Sequence, residues 1–317
     1  MVAAVVLGVA LLARDEATPL VVPESLVKID PATNTIVDDV PVGKNPGPAV
    51  IVGRYVFVAS EDEGTLYRVD MRSGEVATSG RYDANGMGIA AEGNSWVWVA
   101  SIGRSSAGWA SVVRVGARSL QSFGRIRLPR YSSPLGIAVG GGSLWVSERT
   151  PPAVSRWSLR TLRLQRRYKL SKDSSPFLIG FGEGAAWVGD SARSRLLRID
   201  AESGRMMRIP VGDTPVSPVV AFGSVWVQTF NGPTLWRLDL FTAKPRAIIP
   251  VPEAPLGLAA GAGAVWVGGH CGGVVSRIDP DTDSVVTTIE TGEYPRGPAV
   301  GGGFVWVGVV GEPSVFC

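Results

Sequence analysis

The chain has 317 residues, 45% of them hydrophobic and 19% charged, which excludes an intrinsically disordered protein and indicates a well-packed globular one. A net charge of +3 argues against a dedicated nucleic-acid binder, because such a protein needs a concentrated basic face. Two cysteines and one histidine are too few for a disulfide scaffold or a zinc site, so we expect neither a metal nor a cofactor.

An unbroken apolar run occupies residues 1–13. It is shorter than the ~20 residues that a spanning helix needs, and it lacks the basic region that opens a secretory signal. Three interpretations remain open: the tail of a membrane anchor, a short signal or signal-anchor, or a terminal helix resting on the domain. Residues 14–24 follow as a linker. The first two interpretations predict an extracytoplasmic protein that is anchored to the membrane or secreted.

A segment of one apolar residue, one aromatic residue and valine then recurs seven times, at intervals of 41, 47, 42, 39, 40 and 40 residues. Two further markers share this period: a basic residue in the pattern apolar-x-basic-apolar, and a proline eleven residues before the aromatic residue. The aromatic residues are Phe57, Trp98, Trp145, Trp187, Trp226, Trp266 and Trp306. The basic residues are Lys28, Arg68, Arg114, Arg156, Arg198, Arg237 and Arg277. A repeat of this length is typical of propellers and solenoids.

Each repeat contains four short runs of strand-forming residues bounded by Gly, Pro and Asp, which predicts four strands joined by hairpins. Four-stranded units near forty residues are typical of propeller blades. We therefore predict an all-β fold, a seven-bladed β-propeller of four-stranded antiparallel blades over residues 25–309, followed by a tail at residues 310–317. The recurrent tryptophans are expected to pack between blades.

The two ends of the predicted propeller are complementary. The chain begins with a third strand and a fourth strand of a blade (Ser25–Asp30 and Thr35–Pro41) and ends with a first and a second. Seven complete blades require these ends to pair in one shared blade, which also removes exposed strand edges.

Copies such as PLGLAAGAGAVWVGGH and VVSRIDPDTDSVVTTIETGEYPRG resemble the YVTN-type β-propeller family over residues 25–309. The resemblance implies a propeller with a sensing or binding role. The preceding apolar run is similar to that of actinobacterial membrane proteins whose extracytoplasmic propeller follows a cytoplasmic regulatory or kinase module. Streptogramin lyases share the seven-bladed fold, and their chemistry resembles metal-assisted elimination with more than one histidine and a glutamate. Because His270 is the only histidine here, we expect no enzyme.

Loops that follow the second and fourth strands of each blade share one face, and binding residues concentrate on such loops. The one clear insertion lies there, at Ser101–Ser111. We expect a small molecule, a peptide or a cell-wall fragment to bind a monomeric propeller on this face; a protein–protein scaffold and, less favoured, a streptogramin-lyase-like enzyme are the alternatives. The candidate ligand-binding residues are Arg104, Trp109, Tyr131, Arg149, Phe230, His270, Tyr294 and Arg296.

Two features of the sequence allow more than one interpretation. Cys271 and Cys317 follow second strands of adjacent blades on the same face, so they could form a disulfide in an oxidising compartment. The basic run from Arg156 to Lys172 maps to the outer edge of a blade, where cations block unwanted strand pairing. Attraction to anionic lipid headgroups is the functional alternative for this run.

Overall fold

The structure, a computed structural model, describes residues 21–101, 109–252, 254–292, 294–312 and 317, and only the backbone of residues 84–87. The apolar run at residues 1–13 lies outside these ranges. Within them, 28 strands form seven four-stranded antiparallel sheets, so the predicted seven-bladed propeller is confirmed. One short 3-10 helix lies at Ser191–Arg193. No helix in the described ranges is long and apolar enough to cross a membrane.

The strands are numbered along the chain, and each blade runs from its innermost to its outermost strand. Blade 1 is β3 (Val50–Val52), β4 (Tyr55–Ser60), β5 (Thr65–Asp70) and β6 (Val76–Thr78); blade 2 is β7 (Ala84–Glu92), β8 (Trp96–Ser101), β9 (Ser111–Gly116) and β10 (Ser122–Arg127). Blade 3 is β11 (Pro134–Gly140), β12 (Ser143–Arg149), β13 (Pro152–Ser158) and β14 (Leu164–Lys169); blade 4 is β15 (Pro176–Gly182), β16 (Ala185–Asp190), β17 (Arg195–Asp200) and β18 (Met206–Pro210). Blade 5 is β19 (Pro215–Ala221), β20 (Ser224–Thr229), β21 (Thr234–Asp239) and β22 (Pro245–Pro250); blade 6 is β23 (Pro255–Gly261), β24 (Ala264–Gly269), β25 (Val274–Asp279) and β26 (Ser284–Glu290).

Blade 7 contains both ends of the propeller. Its strands are β27 (Ala299–Gly301), β28 (Phe304–Val309), β1 (Ser25–Asp30) and β2 (Thr35–Pro41). β1 pairs antiparallel with β28, with Leu26 opposite Gly308 and Ile29 opposite Val305. The predicted closure is therefore confirmed, and it completes the seventh four-stranded blade.

The recurrent aromatic residues form the packing between blades. All seven are at most 2% exposed. In the interface between blades 5 and 6, Trp226 packs in one cluster with Val265, Val267 and Ile278 of the next blade. Four of the indole N–H groups donate to the carbonyl that ends their own blade's first strand; the acceptors are Gly140, Ala221, Gly261 and Gly301.

In four blades the recurrent basic residue donates a side-chain hydrogen bond to the next blade; these residues are Arg68, Arg156, Arg237 and Arg277. In blade 6 the Arg277 guanidinium lies 5.6 Å from the centre of the Trp266 ring. Its Nη1 donates to the Pro31 carbonyl and to Asn34 Oδ1, both at 2.8 Å, in the β1–β2 turn of blade 7. Arg237 makes the same kind of contact from blade 5 to the Pro280 carbonyl of blade 6. These arginines stack on a tryptophan and hold the neighbouring turn at the same time.

An aspartate at the end of the third strand fixes the following turn. Asp239 Oδ1 accepts the N–H groups of Phe241 and Thr242, which stabilises the charged form and lowers the pKa of Asp239. Asp279 accepts the N–H of Asp281 in the same way. Such side-chain acceptors two or three residues before their donors are typical of Asx turns.

Candidate functional site at the channel mouth

The first strands of all seven blades surround a narrow central channel. It contains a cavity of about 150 Å³, lined largely by glycine, proline, alanine, leucine and isoleucine. Among the described residues that line it, none is charged. The channel can therefore accept apolar groups and hydrogen-bond through backbone edges, but its walls supply no acid–base or metal-binding side chain.

The mouth of the channel lies on the face formed by the loops after second and fourth strands, here called the site face. Seven residues, one from each blade, surround this mouth. Each one follows the repeat proline, or Met87 in blade 2; they are Gly47, Gly88, Leu135, Phe177, Val216, Leu256 and Arg296. Phe177, Val216 and Leu256 form a buried cluster, and Leu135, Leu178 and Phe230 pack against it. The mouth is thus apolar on blades 3 to 6, small on blades 1 and 2, and cationic on blade 7.

The cationic side of the mouth is a buried group around Arg296. Arg296 is 3% exposed and donates from Nη2 to Asn45 Oδ1 at 3.0 Å. Burial lowers the pKa of Arg296, and the negative charges of Glu61 and Glu24 oppose that effect. Because Arg296 belongs to blade 7 and Asn45 to the loop before blade 1, this contact also joins the two blades at the mouth.

His270 lies beside this group and is fully buried. Its Nδ1 is 3.1 Å from the Pro295 carbonyl, which can only accept, so Nδ1 carries the proton. Its ring centre is 5.6 Å from that of Tyr294. Burial, reinforced by the positive charge of Arg296, lowers the pKa of His270 to about 4. The imidazole is therefore neutral at pH 7.

The residue after His270 is covalently bonded to the end of the chain. Cys271 and Cys317 form a disulfide, with their Cα atoms 5.6 Å apart. The bond joins the loop after β24 to the segment that follows β28, so it bridges blades 6 and 7 on the site face. Cys271 consequently has no thiol available for metal binding or nucleophilic chemistry.

The eight candidate binding residues have different positions. Five lie at the mouth: Arg149, whose guanidinium is 5.9 Å from the Phe177 ring centre, together with Phe230, His270, Tyr294 and Arg296. Trp109 is 41% exposed, and its ring contacts the Arg127 guanidinium. Tyr131 is 66% exposed, and its ring contacts the Arg130 guanidinium. Arg104 lies outside the described residues. His270 and Arg296 were expected on loop surfaces, whereas both are buried, because they follow strand ends that meet where blades 6, 7 and 1 pack together.

The sequence analysis did not find the buried ion pairs beside the mouth. Glu148 is the second-to-last residue of β12 and is fully buried. It accepts from Arg167 Nη2 at 2.9 Å and from Ser132 Oγ at 2.7 Å. Asp190 occupies the same position in the next blade and pairs with Arg195 at 2.8 Å. Arg167 belongs to the basic run that was expected on the outer edge, but its guanidinium turns inward to Glu148. Both pairs have their remaining oxygens occupied by neighbouring groups, which favours a structural role.

No protein-family model and no curated protein matches the sequence, but solved structures match the fold. A streptogramin B lyase has a TM-score of 0.71 and 18% identity over 90% of this chain and 94% of that one. The chain has the fold of the streptogramin B lyases. A catalytically inactive virginiamycin B lyase from Staphylococcus aureus with quinupristin follows, with a TM-score of 0.70 and 17% identity over 89% of this chain and 98% of that one.

Non-enzymatic scaffolds match equally well. The WD40 repeats of RRP9 have a TM-score of 0.72 and 11% identity over 85% of this chain and 88% of that one. Identities this low establish the fold and leave function to the site. The predicted resemblance to streptogramin-lyase-like propellers is thus confirmed for the fold.

Proposed function

We propose that this propeller is a non-enzymatic binding protein that holds a small ligand at the channel mouth on its site face. The observation that carries the proposal is the buried apolar cluster of Phe177, Val216 and Leu256, which borders a cavity and is flanked by Phe230 and by the cationic side of the mouth. Ligand sites are typically concave and apolar with a few fixed polar groups. The rigid ring of first strands holds these side chains in place before any ligand arrives.

The absence of catalytic activity in this proposal rests on the chemistry of His270. An imidazole that is fully buried, bonded to a carbonyl and neutral down to a pKa of about 4 is a weak base for proton abstraction at pH 7. The chain contains no second histidine to act with it. Incubation with quinupristin, followed by reversed-phase chromatography, tests this part directly. Enzyme-dependent conversion to a new peak would overturn it.

Binding is tested by a thermal-shift screen of peptidoglycan fragments and short peptides, followed by calorimetry on each hit. Phe230→Ala removes an aromatic ring from the mouth. We expect it to lower the affinity for a ligand that binds there about tenfold, since a buried aromatic contact contributes ~1–2 kcal/mol. The matched control is Phe241→Ala, because Phe241 is 88% exposed in a third-to-fourth-strand turn on the opposite face. Equal effects of the two variants on every hit would place binding elsewhere, as on a protein–protein scaffold.

The proposal includes an extracytoplasmic location with a membrane tether at residues 1–13. The disulfide between Cys271 and Cys317 supports it, because such bonds persist mainly in oxidising compartments. The test is maleimide labelling of the full chain in intact cells, with and without prior reduction. Labelling without reduction would mean free thiols in a reducing compartment, which contradicts the proposed location.

A further inference from the structure

Gln228 differs from its counterparts in the other blades. It lies on β20 two residues after Trp226 and is fully buried. Within the described part of the chain, neither its Oε1 nor its Nε2 has a hydrogen-bond partner. Leaving a buried amide unsatisfied is costly, so a native structure that retains one calls for a physical reason.

The same position is small in every other blade. Its occupants there are Ala59, Ala100, Ser147, Gly189, Gly268 and Gly308. A Cβ on Gly189 would lie 2.4 Å from the Pro215 carbonyl oxygen, so the next blade leaves no room for a side chain at that position. Ser147 fits because its Oγ donates to the Phe177 carbonyl at 2.5 Å and accepts from the Gly136 N–H at 2.9 Å. Only blade 5 has a long polar side chain there.

Gln228 has neighbours at both the cavity and the mouth. Its partner across the β19–β20 ladder is Ser217, which lines the cavity. Phe230 follows the end of β20, two residues after Gln228, and packs against the mouth cluster. A glutamine has three side-chain torsions, so its carboxamide can take more than one direction from a fixed backbone.

We propose that Gln228 is the polar anchor of the mouth site and that its ligands are neutral molecules that combine an apolar group with an amide. A primary carboxamide offers one acceptor and two donors, and a ligand amide, –CO–NH–, satisfies both kinds of group at once. The apolar part packs on Phe177, Val216 and Leu256, and the uncharged cavity lining favours a neutral molecule. This inference rests on the proposed function and specifies its ligand class.

The test uses two probes of nearly equal shape, 3-phenylpropionamide and methyl 3-phenylpropionate. Both carry a phenyl group and a carbonyl, but only the amide can donate a hydrogen bond. Binding is followed on methyl-labelled protein by the NMR shifts of Val216 and Leu256, which locate the probe at the mouth. We expect the amide to bind about tenfold more tightly than the ester, the difference made by one or two buried hydrogen bonds.

Gln228→Met replaces the carboxamide with an apolar group of similar size. We expect this variant to bind the two probes equally and, without ligand, to have a higher Tm than the parent, because an unsatisfied buried group is removed. The matched control is Gln121→Met, the same change at an exposed position just before β10, which should alter neither quantity. A higher Tm for Gln228→Met, together with equal affinity for the two probes, would show that Gln228 serves ligand binding and not the stability of the fold.

Three results would overturn the inference. Equal affinity of the parent protein for amide and ester at the mouth would leave the proposed function standing and remove the role of Gln228. A lower Tm for Gln228→Met would mean that the carboxamide is satisfied within the folded protein. If neither probe shifts the Val216 and Leu256 methyls at millimolar concentration, the ligand class is wrong, and the fragment and peptide screen decides separately whether the mouth binds anything.

Discussion

Arg277 should contribute more to the stability of the closed ring than its repeat position alone suggests. Its guanidinium stacks on Trp266 and donates two hydrogen bonds to the β1–β2 turn, residues that belong to the closing blade. A charged hydrogen bond contributes ~1.5–3 kcal/mol when desolvated, and an exposed cation–π contact ~0.5–1 kcal/mol. Because Arg277 is only half-buried and water screens its charge, each contribution is expected to fall somewhat below the low end of its range. We expect Arg277→Ala to lower the free energy of unfolding by about 2–3 kcal/mol.

The matched control is Arg198→Ala. Arg198 has the same repeat position and stacks on Trp187 at 5.6 Å, but its only side-chain hydrogen bond in the described structure goes to Asp200 of its own strand, β17. Its loss should cost about 1 kcal/mol or less. Urea unfolding followed by tryptophan fluorescence gives both values, and hydrogen exchange of β1 and β2 locates the change. If Arg277→Ala costs no more than Arg198→Ala, the contact across the closure does not stabilise the ring.

Three further changes have defined outcomes. Trp226→Ala should lower the free energy of unfolding by ~3–5 kcal/mol, through lost burial and a residual cavity, in the same urea assay. Burial lowers the folded-state pKa of His270 to about 4 from 6.5. The contribution of His270 to the free energy of unfolding should therefore be complete above pH 6.5 and be lost as the pH falls to 4, by as much as about 3 kcal/mol. His270→Gln should flatten this part of the curve of stability against pH relative to the parent. Replacing Cys271 and Cys317 by serine should cost about 2–4 kcal/mol, since the bond closes a long loop, and Ellman titration of the unreduced parent protein should find no free thiol.

The fold could be predicted because its markers are repeated and local. The aromatic residue on each second strand, the aspartate that ends most third strands and the glycine–proline turns recur with one period, so each copy supports the others. The closure followed from the strand types at the two ends of the chain. The partners of Arg277 could not be predicted in this way, because Asn34 lies 243 residues earlier in the sequence and only the closed ring brings the two together.

The burial of His270 and Arg296 escaped the sequence analysis for a related reason. Both stand next to glycine or proline just outside predicted strands, a context that normally indicates a surface loop. Their burial depends on three chain segments that meet at the closure: the loop before blade 1, the loop after β24 and the connection into β27. A repeat pattern describes what the blades share, whereas this junction occurs once.

The same reasoning explains why the candidate site lies where the repeat is least regular. A ring of seven identical blades would present seven identical residues at its mouth, and a small asymmetric ligand could bind in seven equivalent orientations. Here the mouth changes from glycine on blades 1 and 2 to apolar residues on blades 3 to 6 and to Arg296 on blade 7, with Gln228 added on blade 5 alone. These departures are not needed to build the propeller, since the other blades form without them. Under the proposed function these departures would give a bound molecule a single orientation, which is the property that a specific binding site requires.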